Sequence, residues 1–257
     1  MTAVDPAGRV ALVTGGGTGI GRAVCERLAG GVAGGIVIAF SRSGGEATQL
    51  AARLSSQGVR AVARQADVSD RKQVEDLISA VEAEFGRLDY LVNNAGRTRL
   101  IPFADLDAAT EEIWTEILGT NLMGTFWCSR AAAALLRRSR GAIVNIASIS
   151  GTRAVGSSLP YGVSKAAVLQ LTRSLAAALA PDVRVNSVSA GTVRSGWHEK
   201  LIGDEAFAEK SEREAAVVPL QRLAAPADIA EAVVAMLTTS FVTGQDLLVD
   251  GGKGLLY

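Results

Sequence analysis

The chain of 257 residues is 48% hydrophobic and 20% charged, and its 26 basic and 26 acidic side chains cancel. That length fits a single α/β domain with a sizeable core, and the charge balance gives no reason to expect nucleic acid or an anionic membrane surface as a partner. Cys25 and Cys128 are too few for a disulfide framework, and a sole histidine, His198, disfavours a His-based zinc site and Ser-His-Asp hydrolysis, so a reduced cytoplasmic protein without a metal is expected.

Residues 1–9 contain Asp5 and Pro6 and do not read as a secretory signal, and no apolar run reaches the roughly 18 residues of a membrane span. Val10 to Thr14 is an apolar, β-branched run ending in Gly15-Gly16-Gly17-Thr18-Gly19-Ile20-Gly21, after which Arg22 to Ala29 has helical apolar spacing. A strand, a glycine turn and a helix in that order let backbone amides approach a pyrophosphate, with the positive end of the helix behind them. Gly15, Gly17, Thr18, Gly19, Ile20 and Gly21 are therefore candidate cofactor contacts. The second strand, Ile36 to Phe40, runs into Ser41 and Arg42. An acid about 20 residues beyond the glycine turn would hold the ribose of NAD. Here no acid occurs between Glu26 and Glu46. A hydroxyl and a guanidinium suit a 2′-phosphate instead, which favours NADP(H) over NAD(H).

Gly44 to Gln57 reads as an amphipathic helix, Val59 to Gln65 as a strand, and Ser69 to Phe85 as a helix capped by Ser69. Asp67 and Val68, just past that strand, are candidate adenine contacts, Asp67 through its carboxylate. The fourth strand, Leu88 to Val92, ends in Asn93-Asn94-Ala95-Gly96. Small residues there let the backbone pass close to a ligand, so Asn94, Ala95 and Gly96 join the cofactor set, and the paired amides can tie neighbouring strand ends together. Asp107 to Arg138 suits one helix, or two joined near Gly119, and contains Asn121, an unfavourable residue for a helix interior. The strand Ala142 to Ala147 ends at Ser148. Leu159 to Leu179 is a helix carrying Tyr161 and Lys165 four positions apart on one face. A nearby ammonium favours the phenolate, so the pair suits proton exchange with a carbonyl/alcohol couple. The strands Val183 to Val188 and Asp246 to Val249 follow, with a helix from Pro226 to Leu237 between them and an apolar tail, Leu255-Leu256-Tyr257, expected to be buried.

In Thr14-Gly15-Gly16-Gly17-Thr18-Gly19-Ile20-Gly21, Asn93-Asn94-Ala95-Gly96 and Tyr161-Gly162-Val163-Ser164-Lys165, in order and at familiar separations, the chain resembles the classical short-chain dehydrogenase/reductase family. The resemblance implies one Rossmann-fold domain over residues 1–257, a doubly wound seven-stranded parallel sheet with helices on both faces. It implies that Ser148, thirteen positions before Tyr161, donates a hydrogen bond to the substrate carbonyl and that Tyr161 supplies the proton. Lys165 would hold the nicotinamide ribose and lower the Tyr161 pKa, and Asn121 would position a water linking Lys165 to solvent. By the same resemblance Gly191, Val193 and Ser195 contact the nicotinamide carboxamide and the phosphates. Residues 194–218 form a mobile cover over the substrate, and Asp250-Gly251-Gly252 marks subunit contacts of a homotetramer, with a dimer as the alternative.

The expected activity is hydride transfer between NADP(H) and a ketone or secondary alcohol, as a ketone or 3-oxoacyl reductase. The alternatives are an NAD-dependent dehydrogenase of a sugar, polyol or secondary alcohol and, more remotely, a non-catalytic dinucleotide-binding protein. Arg137, Arg138 and Arg140 offer a basic patch to an acidic carrier protein. Against that partner, Ala180-Pro181-Asp182 at the end of the catalytic helix carries no further base.

Overall fold

In β1 (Val10–Thr14) alternate side chains enter opposite cores, and the rest of the molecule is built outward from that strand. The computed structural model describes residues 8–256; the reading of residues 1–7 and the burial of Tyr257 fall outside the described residues. The remaining strands are β2 (Gly35–Phe40), β3 (Arg60–Gln65), β4 (Tyr90–Asn93), β5 (Ala142–Ser148), β6 (Arg184–Ala190) and β7 (Asp246–Val249). They form one sheet in the order β3-β2-β1-β4-β5-β6-β7, every pair parallel. This is the expected seven-stranded, doubly wound α/β fold. A parallel sheet covered on both faces needs strands that are apolar throughout, and Leu12, opposite Val37 and Leu91, lies at the centre of such a run.

On one face α1 (Gly19–Ala29), α2 (Gly44–Ser56) and a late helix, Pro226–Thr238, bring Leu28, Leu50 and Val233 onto Ala11, Val13 and Ile36. On the other, α3 (Arg71–Phe85) and two helices spanning Gly124–Ser139 and Leu159–Leu179 pack Leu77, Leu136 and Leu175 against Leu12, Val37 and Leu91. Burying each large aliphatic side chain this way contributes about 2 kcal/mol. The chain turns back from the β3 edge to β4, so a crevice opens where β1 and β4 end, the usual ligand position in such sheets.

Three expectations change. The cap of α3 is Asp70, not Ser69: its carboxylate accepts the amides of Lys72 at 2.8 Å and Gln73 at 3.2 Å, while Ser69 turns back to Asp67. The long helix expected from Asp107 begins only at Glu111, as α4 (Glu111–Leu118), and passes through a π turn at Gly119–Met123 into α5 (Gly124–Ser139). Within that turn the Asn121 carbonyl accepts the Thr125 hydroxyl at 2.7 Å. Single π turns inside α-helices recur at functional sites because they re-aim side chains. Finally, Leu255 and Leu256 are 85% and 54% exposed, because β7 is the sheet edge and the single chain supplies no layer beyond it.

A buried amide ladder stitches the centre of the sheet to the helices behind it. Asn93 donates to Asn145 at 2.9 Å and to Ser129 at 3.0 Å, and Asn145 donates to Thr172 at 2.9 Å on α6 (Leu159–Leu179). An Asn145→Ala variant leaves Asn93 with the Ser129 hydroxyl as its one remaining acceptor and takes the donor away from Thr172, in a dry interior. It is expected to lose about 2 kcal/mol of stability in urea unfolding, the penalty for stranding buried polar partners.

Candidate active site

The glycine turn begins where β1 ends. Gly19 has φ +52°, and a Cβ on Gly21 would lie 2.2 Å from the Gly15 carbonyl, so neither position accepts a side chain without moving the turn. Thr18 caps α1 without a side-chain hydrogen bond, and the first turn of the helix holds no acid. Its amides thus face the crevice with an uncompensated positive end. The Asn94 side chain clamps the turn by donating to the carbonyls of Thr14 at 2.9 Å and Gly15 at 3.0 Å. The Thr14 hydroxyl in turn accepts the amides of Asn94 and Ala95 at 3.0 and 3.1 Å. The cradle is preformed, and its residues fit a bound dinucleotide.

β5 delivers Ser148 at its last position, where its hydroxyl donates to Ser150 Oγ at 3.2 Å. α6 starts behind Ser158, whose hydroxyl accepts the Tyr161 amide at 3.4 Å, with Pro160 in the first turn. The helix period then places Lys165 beneath Tyr161, its Nζ 5.7 Å from the ring centroid and donating to the Ile146 carbonyl at 2.7 Å. Burial pushes the Lys165 ammonium down to about 8, since the charged form has left water.

The expected lowering of the Tyr161 pKa by Lys165 does not hold in this structure. Burial raises the phenol above its ordinary value, and the Ser148 hydrogen bond only partly opposes it. The ammonium lies over the ring face, and burial disfavours its charge, so the attraction that would stabilise a phenolate is weak.

Asn121 is held from two sides by protein groups. Its amide donates to the Arg97 carbonyl at 3.0 Å and to Ser164 at 2.9 Å, and accepts the Arg97 amide at 2.7 Å. It therefore fastens the chain after Gly96 to α6.

One cavity of about 490 Å³ gathers most of the anticipated residues. Gly15, Thr18, Gly19 and Ile20 line it from the turn; Asn94, Ala95 and Gly96 from the end of β4; Ser148 from the end of β5 and Tyr161 and Lys165 from the start of α6; and Gly191, Val193 and Ser195 from the loop after β6. Gly17, Gly21 and Asn121 are not part of this lining, nor are Ser41, Arg42, Asp67 and Val68 on the β2–β3 side. Arg42 is exposed, in the loop after β2. Asp67 is occupied by a local turn, accepting the Ser69 amide at 3.0 Å and hydroxyl at 2.6 Å, so its carboxylate is partly spent within the protein. Val68 is buried against the position of Gly124.

Other lining residues were not singled out in the sequence, although Trp197, His198 and Glu214 fall in the stretch 194–218 that the resemblance places over the substrate. Trp197 and His198 come from the segment between β6 and two cover helices, α7 (Glu199–Ile202) and α8 (Asp204–Val217), and His198 stacks on buried Phe207 at 5.4 Å. Thr192, Glu214 and Lys253 meet in the wall from three distant segments, with Lys253 Nζ 2.8 Å from Glu214 and 3.4 Å from Thr192. Only the Asp250-Gly251-Gly252 turn before Lys253 hinted that the C-terminus mattered.

A doubly wound sheet with a phosphate cradle at its switch point, opening onto a cavity that holds a half-buried tyrosine beside a buried lysine, defines a dinucleotide-dependent oxidoreductase. The chain belongs to the short-chain dehydrogenase/reductase family: residues 15–253 match the family model described as enoyl-(acyl carrier protein) reductase. It is 44% identical over 259 residues to a Streptomyces violaceoruber protein named as ketoacyl reductase 2 of the granaticin polyketide synthase, covering 100% of both chains. It is 39% identical to 2-(S)-hydroxypropyl-CoM dehydrogenase 3 of Xanthobacter autotrophicus, covering 95% of each. Among solved structures, a short-chain dehydrogenase/reductase from Burkholderia xenovorans superposes with a TM-score of 0.86 at 31% identity, covering 97% of this chain and 98% of that one. The protein is thus an oxidoreductase acting on CH–OH groups or the matching ketones, with a nicotinamide dinucleotide as its redox partner. Among the described residues no helix is long and apolar enough to cross a membrane.

Proposed function

We propose that this chain is an NADP(H)-dependent reductase of ketone or 3-oxoacyl substrates, with Asn121, Ser148, Tyr161 and Lys165 as its working residues. The observation that carries this reading is the convergence of the Ser148 and Tyr161 hydroxyls on one cavity, backed by a buried lysine. The nicotinamide, when bound, supplies the hydride. Ser148 donates a hydrogen bond to the ketone oxygen, and Tyr161, held protonated by its buried setting, gives the proton as negative charge develops there. Lys165 holds the ribose hydroxyls with the donors left free by Ile146, and its displaced pKa suits it to pass a proton onward. Asn121 fixes the backbone around that route and positions the water that refills it. Gly191, Val193 and Ser195 hold the nicotinamide end, and α7 and α8 close over the substrate.

For the adenosine end we propose Ser41 and Arg42 as the 2′-phosphate contacts, with Asp67 and Val68 beside the adenine. Support comes from the exposure of Arg42 and from the lack of any acid at the end of β2 to hold a free ribose hydroxyl. A homotetramer, with a dimer as the alternative, and a cytoplasmic setting complete the proposal; the exposed Leu248 and Leu255 at the β7 edge support assembly. A second reading is an NAD-dependent oxidation of an alcohol, for which the relative named as a 2-(S)-hydroxypropyl-CoM dehydrogenase supports the alcohol as substrate.

Fluorescence titration of NADPH against NADH separates the two. The wild type is expected to prefer NADPH, and Arg42→Ala to weaken NADPH about 10-fold while leaving NADH unchanged, the usual worth of one charge-assisted contact. A preference for NADH, or indifference to Arg42, would overturn the NADP assignment.

A further inference from the structure

The proposed reaction uses the cavity's Ser148, Tyr161 and Lys165 but leaves its other charged groups without a task. Glu214 on α8 is approached by two lysines: Lys253 at 2.8 Å from one carboxylate oxygen and Lys210 at 3.7 Å from the other. All three line the same cavity as the catalytic hydroxyls. Lys253 is buried, and Glu214 is 17% exposed at its side chain. Burial alone would raise the Glu214 carboxyl, but hydrogen bonds from Lys253 and Thr192 hold it below its ordinary value, so it is ionised at neutral pH. One carboxylate facing two ammonium groups leaves a net positive charge in a partly dry wall, an arrangement that gains stability when an anion completes it.

The position of this excess charge bears on the substrate. A Cβ at Gly254, next to Lys253, would lie 3.8 Å from Ile149, and Ile149 follows Ser148 directly, so the C-terminal turn adjoins the catalytic end of the cavity. The same cavity is also lined by the apolar side chains of Ile149, Val155, Trp197 and Leu201. The stack of His198 on Phe207 braces the segment that leads into the cover.

We propose that Lys253 and Lys210, with Glu214 as their shared counter-ion, form a specificity site for an anionic group carried by the ketone substrate. This rests on the ketone-reductase reading and narrows it to oxo compounds with a carboxylate or a phosphate near the reacting carbonyl. Glu214 keeps the lysines from being a bare cation pair when no substrate is present. The anion then adds to a prearranged cluster, and a neutral ketone of the same shape gains nothing from it.

The test measures kcat/KM with the preferred nicotinamide cofactor for 3-oxohexanoate against its methyl ester, and for dihydroxyacetone phosphate against dihydroxyacetone. The wild type is expected to favour the anionic member of one pair at least 10-fold, which also tells carboxylate from phosphate. Lys210→Ala should cut that ratio about 10-fold and Lys210→Glu about 100-fold, chiefly through KM. Glu214→Gln should raise the ratio, a direction that a merely structural role would not produce. Lys253→Met serves as a second variant, with its fold checked by thermal unfolding. Ratios near one for both pairs, or unmoved by these changes while the neutral ketones are still reduced, overturn the specificity site and leave the reductase reading standing. If no ketone is turned over, the reductase reading falls, and quenching of tryptophan fluorescence by 3-oxohexanoate, reported from Trp197, decides whether the anion site falls with it.

Discussion

A Tyr161→Phe variant is expected to lose about 10³-fold in kcat for ketone reduction, within the range that general acids supply, with nicotinamide cofactor affinity changed less than about 2-fold. The expectation follows from where the hydroxyl sits. The ring is fixed by the first turn of α6 and lies over Lys165, and Phe keeps both contacts. What disappears is one O–H beside Ser148, on a group whose pKa burial has raised. In the reduction direction that shift helps, because the acid stays protonated and ready. In the oxidation direction it opposes reaction, since the tyrosine must first give up its proton. The same shift therefore predicts that oxidation of the matching alcohol rises steeply with pH, whereas reduction stays flat through neutrality. Steady-state rates in both directions, with stopped-flow hydride transfer for the variant, check both points. If Tyr161→Phe retained wild-type turnover, another group would be the acid, and Ser148 would be the next to examine.

Much of this arrangement was legible in the sequence because local rules and tertiary demands agree there. Val10 to Thr14 is apolar at every position, as a doubly covered strand requires, and the glycines after it stand where backbone must pass backbone: the 2.2 Å clash at Gly21 is the physical content of that motif. That Tyr161 and Lys165 lie together follows from helix geometry, while their role came from the resemblance. The failures fall where competition between close alternatives decided the outcome. Ser69 and Asp70 are both good caps, and Asp70 prevailed because its carboxylate reaches two amides while Asp67 claims the Ser69 hydroxyl. The π turn at Asn121 has no compositional signature, since it depends on how α4 and α5 seat on α6. Lys253, Glu214 and Thr192 are far apart in the chain, and only the fold brings them into one wall. The Tyr161 pKa went astray for a related reason: spacing shows that a cation is near, but the balance between attraction and desolvation depends on burial.

Lys165 carries the second large effect, and it acts on stability and activity in opposite directions. Its pKa is about 8 in the folded chain against 10.5 for a free lysine. Below pH 8 both the folded and unfolded states bind the proton, and the folded state bears the full penalty of a buried charge. Between about 8 and 10.5 the unfolded chain holds more protons than the folded one, so this residue's contribution to stability rises with pH across that window. The size of the shift corresponds to about 3 kcal/mol. A Lys165→Met variant, which fills similar space without the charge, is therefore expected to be more stable than the wild type at pH 7 by about 2 kcal/mol, less than the full penalty because the Ile146 carbonyl loses its donor. The gap should close as pH rises from 8 to 10. Comparison with the variant is needed because Cys25, Cys128 and Tyr161 also have raised pKa values and pull the wild-type curve down at high pH, equally in both proteins. In the same variant kcat/KM should fall by at least about 10²-fold, since the ribose and the proton route lose their cation. Binding of NADPH should stabilise the wild type and not the variant, so the order of their melting temperatures inverts when cofactor is added. A variant less stable than wild type at pH 7, with a gap independent of pH, would mean that Lys165 is not held in the folded protein as a destabilised charge. A buried cation that weakens the empty fold and is only partly satisfied by a protein carbonyl is the stability–activity trade expected of a functional site.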